Sequence, residues 1–367
     1  MSVNRFSQDA AQVALEKFKS RQIDRRSFMT ALAGLGLAAT FKPGAASAEV
    51  SEIVICNWGG AALEAFEKAY GAPFTDATGI EVVVDGAGPS TGAVRAMVES
   101  KNVIWDATDG GMVDATTLGA GGYIEPIDYS IVDKSLVGEG LAAEYGICNY
   151  TFSNVLAYDA TKTGETAPTS WADFFDLEKY PGKRTMCKWI QGQLESVLLA
   201  DGVKPEDMYP LDVDRAFAKL EPLLPEIIFW EGGAQSQQLF RDGEVVMGNI
   251  WHTRANLLRK ENPDFTWTWN QNLLFASAWS VPKGNPAGKK VFDFINSSLQ
   301  PEGQVELLRL MGNGPSNPKA LELMTEEDKA VYALAPENAK NNLPVSAAYY
   351  AENEAELQNR FLDFISR

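Results

Sequence analysis

Beyond Glu49, short apolar runs alternate with stretches whose apolar positions recur every three to four residues, the pattern of strands and amphipathic helices in turn. The first half predicts strands at Glu52 to Asn57, Ile80 to Asp85 and Trp105 to Asp109, and helices at Ala61 to Tyr70, Gly92 to Lys101 and Val113 to Ala120. The second half repeats the pattern. Arg184 to Trp189, Ile227 to Trp230 and Val245 to Ile250 read as strands, Gln235 to Arg241 and the segment from about Thr253 as helices. Helices at Lys289 to Ser298 and Glu302 to Leu310 follow. Alternation of this kind predicts an α/β protein, with no solenoid repeat and no low-complexity segment.

The front of the chain has a different texture. Asp24-Arg25-Arg26-Ser27-Phe28-Met29 leads into an apolar run from Met29 to Phe41 and then to Ala46-Ser47-Ala48. Paired arginines hold such a segment at an anionic membrane face, the apolar run inserts, and small side chains fit a signal peptidase cleft. The run of about 13 residues is shorter than the roughly 20 that span a bilayer. Residues 1–48 are therefore expected to be an export signal, with a mature protein that begins near Glu49 and is not inserted in the membrane after cleavage. The segment resembles a twin-arginine leader, with Asp24 where Ser or Thr is frequent and Met29 in place of Leu; Sec export is the alternative. The absence of Cys near the cleavage region points to a freely diffusing periplasmic protein rather than a lipid-tethered one.

Seven of the 32 basic and three of the 49 acidic residues lie in this segment, leaving 25 and 46 in the other 319 residues, a formal charge of −21. That length suggests two domains, and that charge repels nucleic acid and anionic lipid. Cys56, Cys148 and Cys187 are an odd number, so at least one thiol is free in an oxidising compartment. All three fall in or beside predicted strands, which favours buried packing, and one disulfide stays open as an alternative. There is no CxxC, and the single histidine, His252, gives no multi-histidine metal site. No metal and no cofactor is expected.

Three junctions recur at predicted strand ends: Asn57-Trp58-Gly59-Gly60, Asp109-Gly110-Gly111 and Trp230-Glu231-Gly232-Gly233. Glycines there let backbone approach a ligand closely, and ligands of open α/β sheets sit beyond the carboxyl ends of strands at such loops. Gly-Gly is also ordinary turn chemistry. Three such junctions together point to a cleft shared by both halves.

Several motifs are similar to those of the spermidine/putrescine-type solute-binding proteins of ABC importers: the leader, the strand-Trp58 loop and Thr169-Ser170-Trp171-Ala172-Asp173-Phe174. So are Gly243-Glu244-Val245 followed by Trp251, Phe294-Ile295-Asn296 with Pro301-Glu302, and Gly312-Asn313-Gly314-Pro315. Ser170 with Asp173 also has the spacing of a helix capping box. The resemblance covers essentially the whole chain after the leader. It implies a two-lobed periplasmic-binding-protein fold (type II), hinged by strands that cross near Tyr145 to Tyr158 and Phe265 to Val281. Lobe 1 would comprise 49–155 with about 280–367, and lobe 2 156–279. It also implies a monomer that closes on a small nitrogenous solute and is recognised by an inner-membrane permease.

Polyamine sites of that family pair aromatic walls with carboxylates, because a desolvated ammonium needs both. By the resemblance, Trp58, Trp251 and Phe275 fill the aromatic positions, while Ser277 stands where an Asp is typical. Lys188-Trp189-Ile190-Gln191-Gly192 replaces an acid-bearing loop, and Gly111 and Val113 replace polar contacts. The expected cleft therefore has mixed charge, with Arg254 and Lys188 against Asp109 and Glu231, which suits a zwitterion. Its amine would meet Trp58, Trp251 and Asp109, and its carboxylate Arg254 and a helix N-terminus. Gly59, Gly60, Gly110, Gly111, Trp189 and His252 complete the candidate ligand-binding set, with polyamine as the alternative solute.

Two other readings carry less. A periplasmic hydrolase would need a nucleophile elbow, HExxH, P-loop or dinucleotide motif, and none occurs. A ferric-ion binder of the same architecture would use a pair such as Tyr349-Tyr350, whose place in the C-terminal tail favours packing. No enzymatic activity is expected.

Overall fold

The computed structural model describes residues 50–367; the expected export signal lies outside the described residues. Strand β1 (Glu52–Cys56) pairs in parallel with β2 (Glu81–Asp85) and β3 (Ala107–Gly111). After the two-residue β4 (Ile124–Glu125) come the long β5 (Ile147–Asp159), then β6 (Arg184–Cys187), β7 (Ile227–Trp230) and β8 (Met247–Trp251). The longest strand, β9 (Phe265–Pro282), is followed by the short β10 (Gly314–Pro315) and β11 (Leu343–Pro344). The sheet runs β2-β1-β3-β9-β5-β8-β6-β7. Two parallel groups, β2-β1-β3 and β8-β6-β7, are thus joined by the antiparallel β5 and β9. These are the two segments expected to cross.

Each parallel group is buried on both faces, as parallel strands require. On one face of the first lie Ile53, Ile55, Phe66, Phe74, Trp279 and Phe294; on the other, Cys56, Val94, Trp105 and Leu118. The second group has Trp171, Phe174, Met186, Leu194 and Phe361 on one side and Cys187, Trp230, Phe240 and Ile250 on the other. The three cysteines are free and buried, and burial pushes their thiols up, to about 12 for Cys56 and Cys148.

Two differences from the sequence-based expectation have physical causes. The first helix (Ala61–Phe66) passes through a π-helical turn (Glu67–Gly71) into Ala72–Thr78, because Pro73 has no N–H to give to the preceding turn. The helices Lys290–Ser298 and Pro301–Met311 pack with the first strand group, Phe294 against Phe74 at 5.6 Å. The last helix (Ala347–Ile365), placed with lobe 1 by the expected boundary, lies against Met112–Ala120 of the first half and also packs on elements of the second half. Phe364 stacks on Phe217 at 4.3 Å, Arg360 pairs with Asp214 at 2.7 Å, and Tyr350 donates to Glu195 at 3.0 Å. Its apolar stripe, Tyr350, Leu357, Phe361 and Phe364, matches the aromatic surface there.

Candidate functional site

All three glycine junctions lie where a strand of a parallel group gives way to a helix: β1 to Ala61–Phe66, β3 to Met112–Ala120, β7 to Gly233–Arg241. In the first, the Asn57 carboxamide accepts from Gly59 N–H at 2.9 Å and donates to Ala62 O at 3.0 Å, which fixes the loop that presents Trp58. Gly59 is required: its φ is +67° and a Cβ there would lie 2.8 Å from Gly86 O.

The Trp58 and Trp251 rings meet edge to face with centroids 5.8 Å apart. Trp251, the last residue of β8, also contacts Trp230 at 5.1 Å and Phe152 at 6.1 Å. Phe152 stacks on Phe275 at 5.0 Å and 11°. A half-buried aromatic wall thus runs from Trp58 through Trp251 and Phe152 to Phe275 across the two crossing strands. Phe152 was not among the residues the sequence singled out. It became visible only through the alternation of β5, which sets its side chain on the face shared with Trp251.

Beside this wall lies Arg254, in the first turn of the helix His252–Glu261. Its residue is 2% exposed, yet its Nε has no hydrogen-bond partner and, among the described residues, no carboxylate pairs with it. Burial depresses its basicity. Arg184, 0% exposed, shows how this protein satisfies a structural guanidinium: it donates to the carbonyls of Phe174, Gly182, Asp176 and Tyr180 at 2.6 to 3.2 Å. Arg254 has no such cradle. A Cβ on Gly233 would lie 2.4 Å from its Nε and 3.0 Å from Trp251 Cζ3, so glycine is what lets the next helix N-terminus approach it. A Cβ on Gly60 would sit 3.8 Å from Nη1, so the first-strand loop faces the same guanidinium. Helix N-termini and an unpaired cation together form a site for an anion such as a carboxylate.

Asp109 is the middle residue of β3 and is 0% exposed. It accepts from Asn149 Nδ2 at 2.9 Å, Ser277 Oγ at 2.8 Å and Tyr150 Oη at 3.0 Å. Burial raises its carboxyl to about 6 against the pull of those three donors. Three of a carboxylate's roughly four acceptor positions are therefore filled by protein. Ser277, register partner of Gly111, shares its single proton between Asp109 and the Gly110 carbonyl at 2.7 Å. Asp109, Gly110, Gly111 and Ser277 together make a buried acidic floor.

The remaining candidates have protein partners of their own. Lys188 pairs with Glu231 in an exposed ion pair, and Trp189, 51% exposed, donates to the Glu231 carbonyl at 3.1 Å. These three form an external strap between the ends of β6 and β7. His252 is 0% exposed with both nitrogens engaged: Nδ1 accepts from Ser153 N–H at 2.9 Å and Nε2 donates to Gly312 O at 2.7 Å. Burial holds its imidazole down at about 4, so it is neutral and ties β5 to the segment after Pro301–Met311. Neither nitrogen is left for a solute. Tyr349 packs on Tyr209 and Tyr350 on Glu195. Among the described residues no three His, Cys, Asp or Glu side chains gather as metal ligands, and no helix is long and apolar enough to cross a membrane.

Residues 69–339 match the family described as bacterial extracellular solute-binding protein. The gamma-aminobutyric acid-binding protein of Pseudomonas aeruginosa is 34% identical over 345 residues, covering 92% of this chain and 96% of that protein. Among solved structures, the Atu4243 GABA receptor is 33% identical over 86% of this chain and 97% of its own, with a TM-score of 0.78. AgtB of A. tumefaciens R10, solved with agropinic acid, is 31% identical over 86% and 99%, with a TM-score of 0.81. A spermidine/putrescine-binding protein from Streptococcus pneumoniae, 19% identical with a TM-score of 0.69, shares the fold. These relatives bind solutes and are not enzymes. The strand-end glycine junctions, the crossing strands and the match over most of its length agree: the chain belongs to the bacterial extracellular solute-binding protein family.

Proposed function

We propose that this chain is the periplasmic substrate-binding component of an ABC importer and captures an ω-amino-acid-like zwitterion, of the 4-aminobutyrate type. One observation carries the reading: Arg254 is buried with its Nε unsatisfied and, among the described residues, no carboxylate paired with it, beside an aromatic wall and two glycine-opened helix N-termini. An uncompensated buried cation costs several kcal/mol, so its retention is explained by a solute carboxylate that completes it. The wall of Trp58, Trp251, Phe152 and Phe275 receives the chain and the amine end through ring faces. A diamine offers Arg254 only another cation, which weighs against polyamine as the solute. The GABA-binding relatives support the same class.

Capture proceeds by hinge closure at β5 and β9. One lobe is built on β1 to β3 with Lys290–Ser298 and Pro301–Met311, the other on β6 to β8, and Ala347–Ile365 touches both. A solute touching Trp58 and Gly60 on one side and Arg254 on the other favours the closed form by its contacts with both, and a permease reads that form. Native mass spectrometry of the purified protein after incubation with ω-amino acids, α-amino acids and polyamines tests this. Retention of an ω-amino acid at unchanged mass supports the reading; retention of spermidine or putrescine alone overturns it.

A further inference from the structure

Arg254 accounts for one end of a zwitterion. The other end needs an acceptor, and Asp109 is already committed to Asn149, Tyr150 and Ser277.

Asn154 offers a free one. It sits on β5 directly opposite Trp251 of β8, so the two side chains stand on the same sheet face, the face that also carries Phe152. Asn154 is 2% exposed, and among the described residues its Oδ1 has no hydrogen-bond partner. The carboxamide lies against the far end of the aromatic wall: a Cβ on Gly192 would meet both Asn154 Nδ2 at 2.9 Å and Phe275 Cζ at 2.8 Å. Gly192, at φ +78°, keeps that space open. A buried carboxamide oxygen left unpaired costs on the order of 1–3 kcal/mol, a cost removed when a ligand N–H reaches it. The site therefore holds two orphan groups of opposite character, a donor at Arg254 and an acceptor at Asn154, with the Trp251 side of the wall between them.

Building on the proposed function, we propose that Asn154 is the second pole of the site, its carboxamide oxygen accepting from the N–H-bearing end of the solute whose carboxylate is held at Arg254. Recognition of that end is then by a neutral acceptor with ring faces beside it, not by a direct ion pair. Asn154 becomes a specificity-determining residue that separates an amino acid from the same acid lacking nitrogen.

The test is calorimetry of 4-aminobutyrate and of butyrate against wild type, Asn154→Leu and Asn154→Ser. Wild type is expected to prefer 4-aminobutyrate at least tenfold. Asn154→Leu should lower that preference about tenfold while butyrate affinity stays within threefold, and Asn154→Ser should lie between them. Should the leucine variant not fold, the serine variant decides alone. An unchanged preference in a folded variant overturns the role of Asn154 while leaving the proposed function standing. If wild type binds neither compound, the ω-amino-acid reading fails and the role of Asn154 fails with it.

Discussion

Trp58 and Trp251 leave different strand groups and meet edge to face, ring centroids 5.8 Å apart at 63°. The contact joins the loop after β1 to the end of β8, so any solute packed against it senses both groups at once.

Truncating Trp251 removes the centre of the wall, since it touches Trp58, Trp230 and Phe152. Trp251→Ala should weaken solute binding by about 2–4 kcal/mol, thirtyfold or more, while far-UV circular dichroism stays unchanged. Intact affinity in titration would remove Trp251 from the site.

Arg254 couples function against stability. With its guanidinium buried and Nε unpaired, Arg254→Leu should raise the stability of the solute-free protein by about 1–4 kcal/mol and abolish solute-dependent stabilisation. Thermal melts with and without solute check both halves. A destabilised variant that still responds to solute would contradict the assignment.

Gly233 makes room for that guanidinium. A Cβ there would meet Arg254 Nε at 2.4 Å and Trp251 Cζ3 at 3.0 Å, so it would displace both side chains of the site. Gly233→Ala should therefore lower affinity about tenfold and leave the melting temperature unchanged or slightly raised, because Ala favours the helix Gly233–Arg241. A large loss of stability would show that the glycine serves packing only.

Two buried groups give stability opposite pH dependences. His252 is held down at about 4, below its ordinary 6.5, so its contribution is complete above pH 6.5 and is lost as pH falls towards 4. Burial raises Glu195 to about 7 despite donation from Tyr209 at 2.8 Å and Tyr350 at 3.0 Å, so its contribution is present below about pH 4.5 and is lost as pH rises to 7. Urea titrations from pH 4 to 8 should show that His252→Gln flattens the acid side of the profile and Glu195→Gln the neutral side. The Glu195 effect should reach about 3 kcal/mol at most. A profile that neither variant alters would contradict these positions.

The sequence carried the fold well, because parallel strands buried on both faces write themselves as apolar runs, and each Gly-Gly corner marked a true strand-to-helix junction. The crossing strands were placed within a few residues. Harder to read was which polar residues lack partners. Arg184 and Arg254 look alike in sequence, and only the four carbonyls around Arg184 tell them apart. His252 looked like a lining residue because it follows Trp251, but the first residue of the new helix turns inward to Ser153 and Gly312. Asn154 and Phe152 were hidden in a strand whose residues are mostly buried, where nothing local separates floor from core. The final helix carried a legible signal in Ser346, whose side chain accepts from Tyr349 N–H, and in the spacing of Tyr350, Leu357, Phe361 and Phe364.

The central claim, that a carboxylate completes Arg254, is tested most directly by titrating the purified protein with 4-aminobutyrate and with putrescine, which carries an aminomethyl group in place of the carboxylate. The account predicts saturable one-to-one binding of 4-aminobutyrate, lost in Arg254→Leu, and at least a hundredfold weaker binding of putrescine. Equal or tighter binding of putrescine, or binding of 4-aminobutyrate that survives Arg254→Leu, would contradict it.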